Sequence, residues 1–291
     1  MPELHPSSPE FSPSSAPAEP SPSSAGSAPA PVPPDPAAPA AVVAALRAAG
    51  CVFAEEEAEL ILTTARTPHE VTALVERRAA GLPLEQVLGW AEFHGLRIAV
   101  DPGVFVPRRR TEFLVGQALA QVPDASVVVD LCCGSGAVGT ALAGALGPVE
   151  LHAADIDPAA VRCARRNVGA AGGRVHQGDL FEALPAALRG RVDILAANVP
   201  YVPTDEVALL PSEARDHEPP VALDGGADGL DVLRRVAAGA PGWLAPGGCL
   251  LVETSGRQAP AALAAFEAAG LTVRLAASEE LAAHVVVGTR R

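Results

Sequence analysis

The sequence predicts an α/β fold: a sheet covered by helices on both faces, set behind a small helical domain. Three observations predict it. From residue 107 on, seven short apolar runs alternate with helix-length segments, the pattern of strands buried on both faces. Residues 41–80 instead carry three helical segments and no strand pattern. Between them AEFHGLRIAVDPGVFV (91–106) alternates weakly, with a DPG turn at 101–103 that predicts a hairpin.

In chain order, residues 1–40 are Pro, Ser and Ala with almost no large apolar side chains. They cannot bury enough surface to offset ordering entropy, so a disordered tail is expected. AVVAALRAAG, EEEAELILTTA and PHEVTALVERRAAG then read as helices. Acids suit the start of the second, and Gly50 and Gly81 stop the first and third. Strands are predicted at 126–131, 149–155, 174–177, 192–198, 249–254, 271–276 and 284–289. Helices are predicted at 111–121, 137–146, 158–170, 230–240 and 257–269. There is no internal repeat.

Composition bounds the function. The chain has 291 residues, 49% of them apolar, enough for a sizeable core. Its net charge is −13 and every basic residue is Arg. Phosphate contact dominates nucleic-acid affinity, so an acidic chain is not expected to bind nucleic acid stably. The five cysteines form no CxxC pair and the histidines no HExxH motif. Neither a metal site nor a disulfide framework is expected, and a reducing, cytoplasmic setting is. No apolar run of ~18 residues predicts a membrane span, and the N-terminus lacks a secretory pattern. A monomer is expected.

The chemistry-bearing motifs sit at strand ends. VVVDLCCGSGAVGTALA (127–143) reads as strand, loop and helix, with Gly134, Gly136 and Gly139 in GxGxxG spacing. Such glycines let a backbone approach a ligand beyond the strand ends, and a dinucleotide is the usual alternative ligand. Asp130 closes the first strand and Asp155 the next. An acid at Asp155 can accept from ribose hydroxyls in either cofactor class. A carboxylate at Asp130 would repel a pyrophosphate but suits S-adenosylmethionine, whose aminoacyl end and sulfonium are cationic. GDLF (178–181) follows the third strand: Asp179 could accept from an adenine amino group, and Leu180 and Phe181 could cover the ring.

At the fourth strand end stands AANVPYV (196–202), holding the only Tyr in the chain. The Asn198 carboxamide oxygen and the Val199 carbonyl can both accept from one planar NH2 group. Pro200 stiffens the turn, and Tyr201 offers a flat face. The target is a planar amine or amide nitrogen, such as a glutamine amide or a base exocyclic amine. Three other readings stay open at this point: a DNA or RNA amino-methyltransferase, a non-catalytic binding module, and an NAD-dependent oxidoreductase.

Residues 41–291 resemble the HemK/PrmC protein-glutamine methyltransferases. GLPLEQVLGWAEFHGLRIAVDPGVFVPRRRTEFLV (81–115) is similar to that family's linker, with its G-x-P-x-Q, G-x-x-E-F-x-G-L and P-R-x-x-T-E signatures. EARDHEPPVALDGGADGLDVLRRV (213–236) is similar to its segment after the Asn-Val-Pro-Tyr claw, Asn198 to Tyr201 here. The resemblance implies a class I S-adenosylmethionine-dependent methyltransferase, Rossmann-like, with a seven-stranded mixed sheet. Behind the disordered tail expected over 1–40, it implies a helical substrate-recognition domain (41–88), a β-hairpin linker (89–106) and a methyltransferase domain (107–291). The protein substrate implied is a peptide chain release factor. Carried over by position, Cys132, Cys133, Gly134, Ser135, Gly136 and Asp155 would bind S-adenosylmethionine, Leu180 would contact its adenine, and Phe105 and Arg108 would border it; Asp130, Ile156, Asp179 and Asn198 complete the expected cofactor site. Asn198, Val199, Pro200 and Tyr201 would bind and orient the glutamine. The chain departs from the family pattern at Val199 (usually Pro), at Cys132 (usually Gly) and in RRRTE, where Arg109 and Arg110 invert the local charge.

Overall fold

Seven strands form one mixed sheet in the order β5-β4-β3-β6-β7-β9-β8. The computed structural model describes residues 35–291, one compact unit. The tail expected over 1–40 lies outside the described residues as far as Pro34. Its last two positions are corrected to helix, because α1 (Pro39–Ala48) opens with proline at its first turn, where the missing N–H costs nothing.

Helices α1, α2 (Ala54–Thr64) and α3 (Pro68–Ala79) pack through a small core of their own that includes Val42, Leu46, Ile61 and Val71. Thr67 caps α3 by accepting the Glu70 N–H at 3.1 Å. A fourth helix, α4 (Leu84–Leu88), is too short to show a period in the sequence. Strands β1 (Trp90–Phe93) and β2 (Leu96–Ala99) pair antiparallel. The predicted hairpin exists, but its turn is corrected from 101–103 to His94–Gly95. Both residues have positive φ, 51° and 72°, as a twist-matched two-residue hairpin turn requires.

The sheet comprises β3 (Val127–Leu131), β4 (Glu150–Asp155), β5 (Arg174–Gln177), β6 (Val192–Ala197), β7 (Leu244–Thr254), β8 (Thr272–Ser278) and β9 (Ala283–Thr289). Helices α5 (Glu112–Gln121), α6 (Ala137–Leu146) and α7 (Pro158–Ala170) are followed by α8 (Ser212–His217), α9 (Asp231–Gly239) and α10 (Ala259–Ala268). Two core clusters, one on each face, contain most of the strand side chains. The residue pattern argued for parallel strands throughout. β9 alone is reversed, antiparallel to both β7 and β8, because a short connection joins β8 to β9 and leaves no room for a crossover helix. Among the described residues no helix is long and apolar enough to cross a membrane.

Candidate active site

Sheet register brings three sequence motifs to one level. Leu131 of β3 pairs with Ala154 of β4 on one side and with Ala197 of β6 on the other. The next residues are Cys132, Asp155 and Asn198, side by side at the carboxyl edge. β4 and β5 lie on one side of β3 while β6 and β7 lie on the other. This is a topological switch point, where open α/β sheets bind ligands.

A cavity of about 590 Å³ opens there. It is lined by Phe105, Arg108, Asp130, Cys132, Cys133, Gly134, Ser135, Asp155, Ile156, Asp179, Leu180 and the run Asn198, Val199, Pro200, Tyr201. Of the site residues predicted from sequence, Gly136 stands outside the wall. It caps α6 at φ 77°, and a Cβ there would lie 2.6 Å from Val168 Cγ2 of α7. Its bareness lets α6 and α7 close together. Phe181 is also corrected: it stacks on Trp243, centroids 5.6 Å apart, and faces the core instead of covering a ligand ring.

The acids act on the loops as well as on the cavity. Asp155 accepts the Gly134 N–H at 2.8 Å and the Asp157 N–H at 2.9 Å, tying the loop after β3 to the loop after β4. Burial raises its pKa, against those hydrogen bonds. Asp130 is 1% exposed and accepts the Gly139 N–H at 2.8 Å. Burial pushes its carboxyl up to about 8; the Gly139 bond opposes this and the charge of Asp155 adds to it. Asp179 is paired with Arg235 at 2.7 Å. Burial and the surrounding carboxylates push the Cys132 thiol up, so it stays neutral. Cys132 keeps φ 54°, the left-handed conformation a glycine would adopt freely.

Asn198 stands one residue past β6, and its Oδ1 is buried with no hydrogen-bond partner in the structure. Tyr201 is fixed through its hydroxyl, which accepts from Arg110 Nη2 at 2.5 Å and donates to Glu253 Oε1 at 3.2 Å. Burial and Glu253 hold the Tyr201 phenol up at about 12, so it is no base at neutral pH. Arg108 pairs with buried Glu218 at 2.7 Å and lies 4.8 Å over the Phe105 ring.

Sequence reasoning missed several contributors. Thr111 lines the cavity with a buried, unpartnered Oγ1. Glu253 and Glu218 orient Tyr201 and Arg108 from distant parts of the chain. Gln258 donates to the Tyr201 carbonyl at 2.8 Å. The T-E and E-P signatures were visible, but pairings across 52 to 143 residues leave no local signal.

These residues fit S-adenosylmethionine. Asp130 and Asp155 share one cavity, and the charge of Asp155 adds to the burial that raises the Asp130 carboxyl. A ligand carrying an ammonium and a sulfonium would favour the ionised form of both carboxyls. The orphaned Asn198 oxygen calls for an N–H donor, since a buried polar group left unpaired costs about 1–3 kcal/mol.

A family model described as Methyltransferase small domain matches residues 95–209. A release factor glutamine methyltransferase of Geobacter sulfurreducens is 40% identical over 228 residues, covering 77% of this chain and 79% of the relative. One from Streptomyces coelicolor is 42% identical over 194 residues, covering 64% and 69%. A 4-amino-L-phenylalanine/4-methylamino-L-phenylalanine methyltransferase of Streptomyces pristinaespiralis is 38% identical over 203 residues, covering 67% and 69%. The solved structure of a Pyrococcus furiosus methyltransferase is similar in fold, with TM-score 0.51 at 16% identity over 67% of this chain and 89% of that one. With the sheet, the switch-point cavity and these likenesses together, the chain belongs to the release factor glutamine methyltransferase family and is an S-adenosylmethionine-dependent methyltransferase.

Proposed function

We propose that this chain methylates the side-chain amide nitrogen of a glutamine in a peptide chain release factor. The observation that carries the reading is the buried, unpartnered Asn198 Oδ1 at the end of β6. S-adenosylmethionine supplies an electrophilic methyl carbon on its sulfonium. The amide nitrogen is a poor nucleophile because its lone pair is conjugated. Asn198 Oδ1 and the Val199 carbonyl accept its two hydrogens, which localises electron density on nitrogen and aims it at the methyl carbon. Orientation of this kind can be worth about 7–11 kcal/mol. Tyr201, fixed by Arg110 and Glu253, gives the amide plane a face to lie on. No strong base is needed, because the nitrogen becomes acidic once methylated and solvent can take its proton. A release-factor substrate places the enzyme in the cytoplasm, with the helical bundle α1–α4 as its recognition element.

Purified enzyme, methyl-labelled S-adenosylmethionine and the release factors of its own organism test this, with mass spectrometry locating the label. A methyl on one glutamine amide supports the reading. The Streptomyces pristinaespiralis relative favours a second reading, a free aromatic amine, because the same pair of acceptors suits an aniline nitrogen. The assay therefore includes 4-aminophenylalanine, and label on that compound alone moves the substrate to the second reading.

Two cofactor predictions follow from the acids. Asp155→Ala should weaken S-adenosylmethionine binding by about 1.5–3 kcal/mol, one charged hydrogen bond, measured by calorimetry. Unchanged affinity would take Asp155 out of the site. Asp130 is held protonated up to about 8 in the free protein. A bound cation favours its ionised form, so at pH 6.5 binding should release up to about one proton. Calorimetry in buffers of different ionisation enthalpy reads that release, and Asp130→Asn should abolish it.

A further inference from the structure

Residues 204–217, between the claw and Glu218, contain no buried side chain. Yet Leu210, Pro211, Glu213 and Ala214 from this run line the cavity that also holds Asn198. A wall without buried apolar groups has almost no hydrophobic stabilisation to hold it, so its anchors are polar. Its α8 end has two, and both come from the helical bundle. Arg78 of α3 donates to Glu213 Oε1 at 2.7 Å, and Gln86 of α4 donates to the His217 carbonyl at 3.2 Å.

Arg78 is built as an anchor. It is 8% exposed, as is Glu57 of α2, and Glu57 takes two of its N–H groups at 2.6 and 3.0 Å. The Leu82 carbonyl takes a further bond at 3.0 Å. Glu57 therefore compensates the buried charge and fixes the planar fork, so one edge points at α8 whether or not Glu213 is present. Glu213 itself is half-exposed, at 47% of its side chain. A surface carboxylate held by a buried, pre-oriented guanidinium is a directed contact, unlike the pairs between two exposed side chains elsewhere on this surface.

We propose that Arg78 is a positioning residue for methyl transfer: through Glu213 it sets the cavity wall at 204–217, so that the helical bundle governs where the substrate chain enters. The substrate part of this inference rests on the proposed function; the anchoring part does not. Glu213→Gln in the full-length chain removes the charge pair and leaves Arg78 compensated by Glu57, so the bundle should still fold. Amide hydrogen exchange over 205–217 should quicken about tenfold, the scale of one lost charge-assisted hydrogen bond, while exchange in the sheet is unchanged. KM for the labelled protein substrate should rise about tenfold with kcat and S-adenosylmethionine affinity kept, the signature of lost ground-state positioning. Glu213→Asp should restore part of both effects. Unchanged exchange over 205–217 overturns the anchor. A quickened exchange with an unchanged KM overturns its role in substrate entry, as does a fall in kcat with an unaltered KM. If wild-type enzyme methylates no release factor, the proposed substrate fails, while the exchange measurement still decides the anchor.

Discussion

Replacing Asn198 with alanine is expected to lower kcat about 10²–10³-fold, the usual cost of losing one preorganised transition-state contact. Affinity for S-adenosylmethionine should change about twofold or less, because the cavity acids and the loop after β3 are untouched. The same variant is expected to be slightly more stable than the wild type. Asn198 Oδ1 is a buried acceptor with no partner in the free protein, and removing an unpaired buried polar group relieves about 1–3 kcal/mol of desolvation cost. A raised melting temperature joined to lost turnover is the mark of a group kept for chemistry at the expense of stability. Single-turnover kinetics, a cofactor titration and a thermal melt check all three. If cofactor affinity fell as far as kcat, the oxygen would be serving the cofactor instead of the substrate nitrogen. If the melting temperature fell as well, Asn198 would be a structural turn residue.

The strands were legible because each is a short apolar run, and their ends placed Asp130, Asp155 and Asn198 correctly. What brings those ends together is register: Leu131 opposite both Ala154 and Ala197. Register lies between segments, and the motifs only hinted at it. The hairpin turn was misplaced because Asp101, Pro102 and Gly103 are strong turn formers by composition. The true turn, His94–Gly95 at φ 51° and 72°, carries a weaker compositional signal than Asp-Pro-Gly. The same limit hid Glu218, Glu253 and Arg78. A carboxylate in sequence carries no sign of whether it will meet solvent or a guanidinium more than a hundred residues away. Gly136 was assigned to the ligand, and its neighbours give it a packing role as well, since a GxGxxG spacing answers both needs.

Gly229→Ala is expected to cost about 2–5 kcal/mol, combining a strained left-handed backbone with a steric clash, and to abolish most turnover without touching a ligand-binding side chain. The glycine sits at φ 75°, and a Cβ there would overlap the Tyr201 carbonyl oxygen and the Gln258 amide nitrogen. Neither can yield cheaply. The Tyr201 carbonyl is backbone, and Gln258 Nε2 already bridges it to the Asp228 carbonyl at 2.9 Å. Gly225 closes the other side: a Cβ there would lie 2.6 Å from the Pro200 carbonyl, and its own N–H donates to the Val202 carbonyl at 2.8 Å. The segment LDGGADGL is thus the cradle in which residues 200–202 lie. It does for the claw what a second proline would do, holding the turn from behind where Val199 does not stiffen it from within. Gly247→Ala is the control, because Gly247 has a similar φ of 82° but open space around it. It should show the backbone cost alone, with turnover retained. Equal losses of activity in the two variants would mean that strain, and not contact with Tyr201, is what the claw feels. A loss confined to Gly229→Ala would locate claw rigidity in this backbone contact.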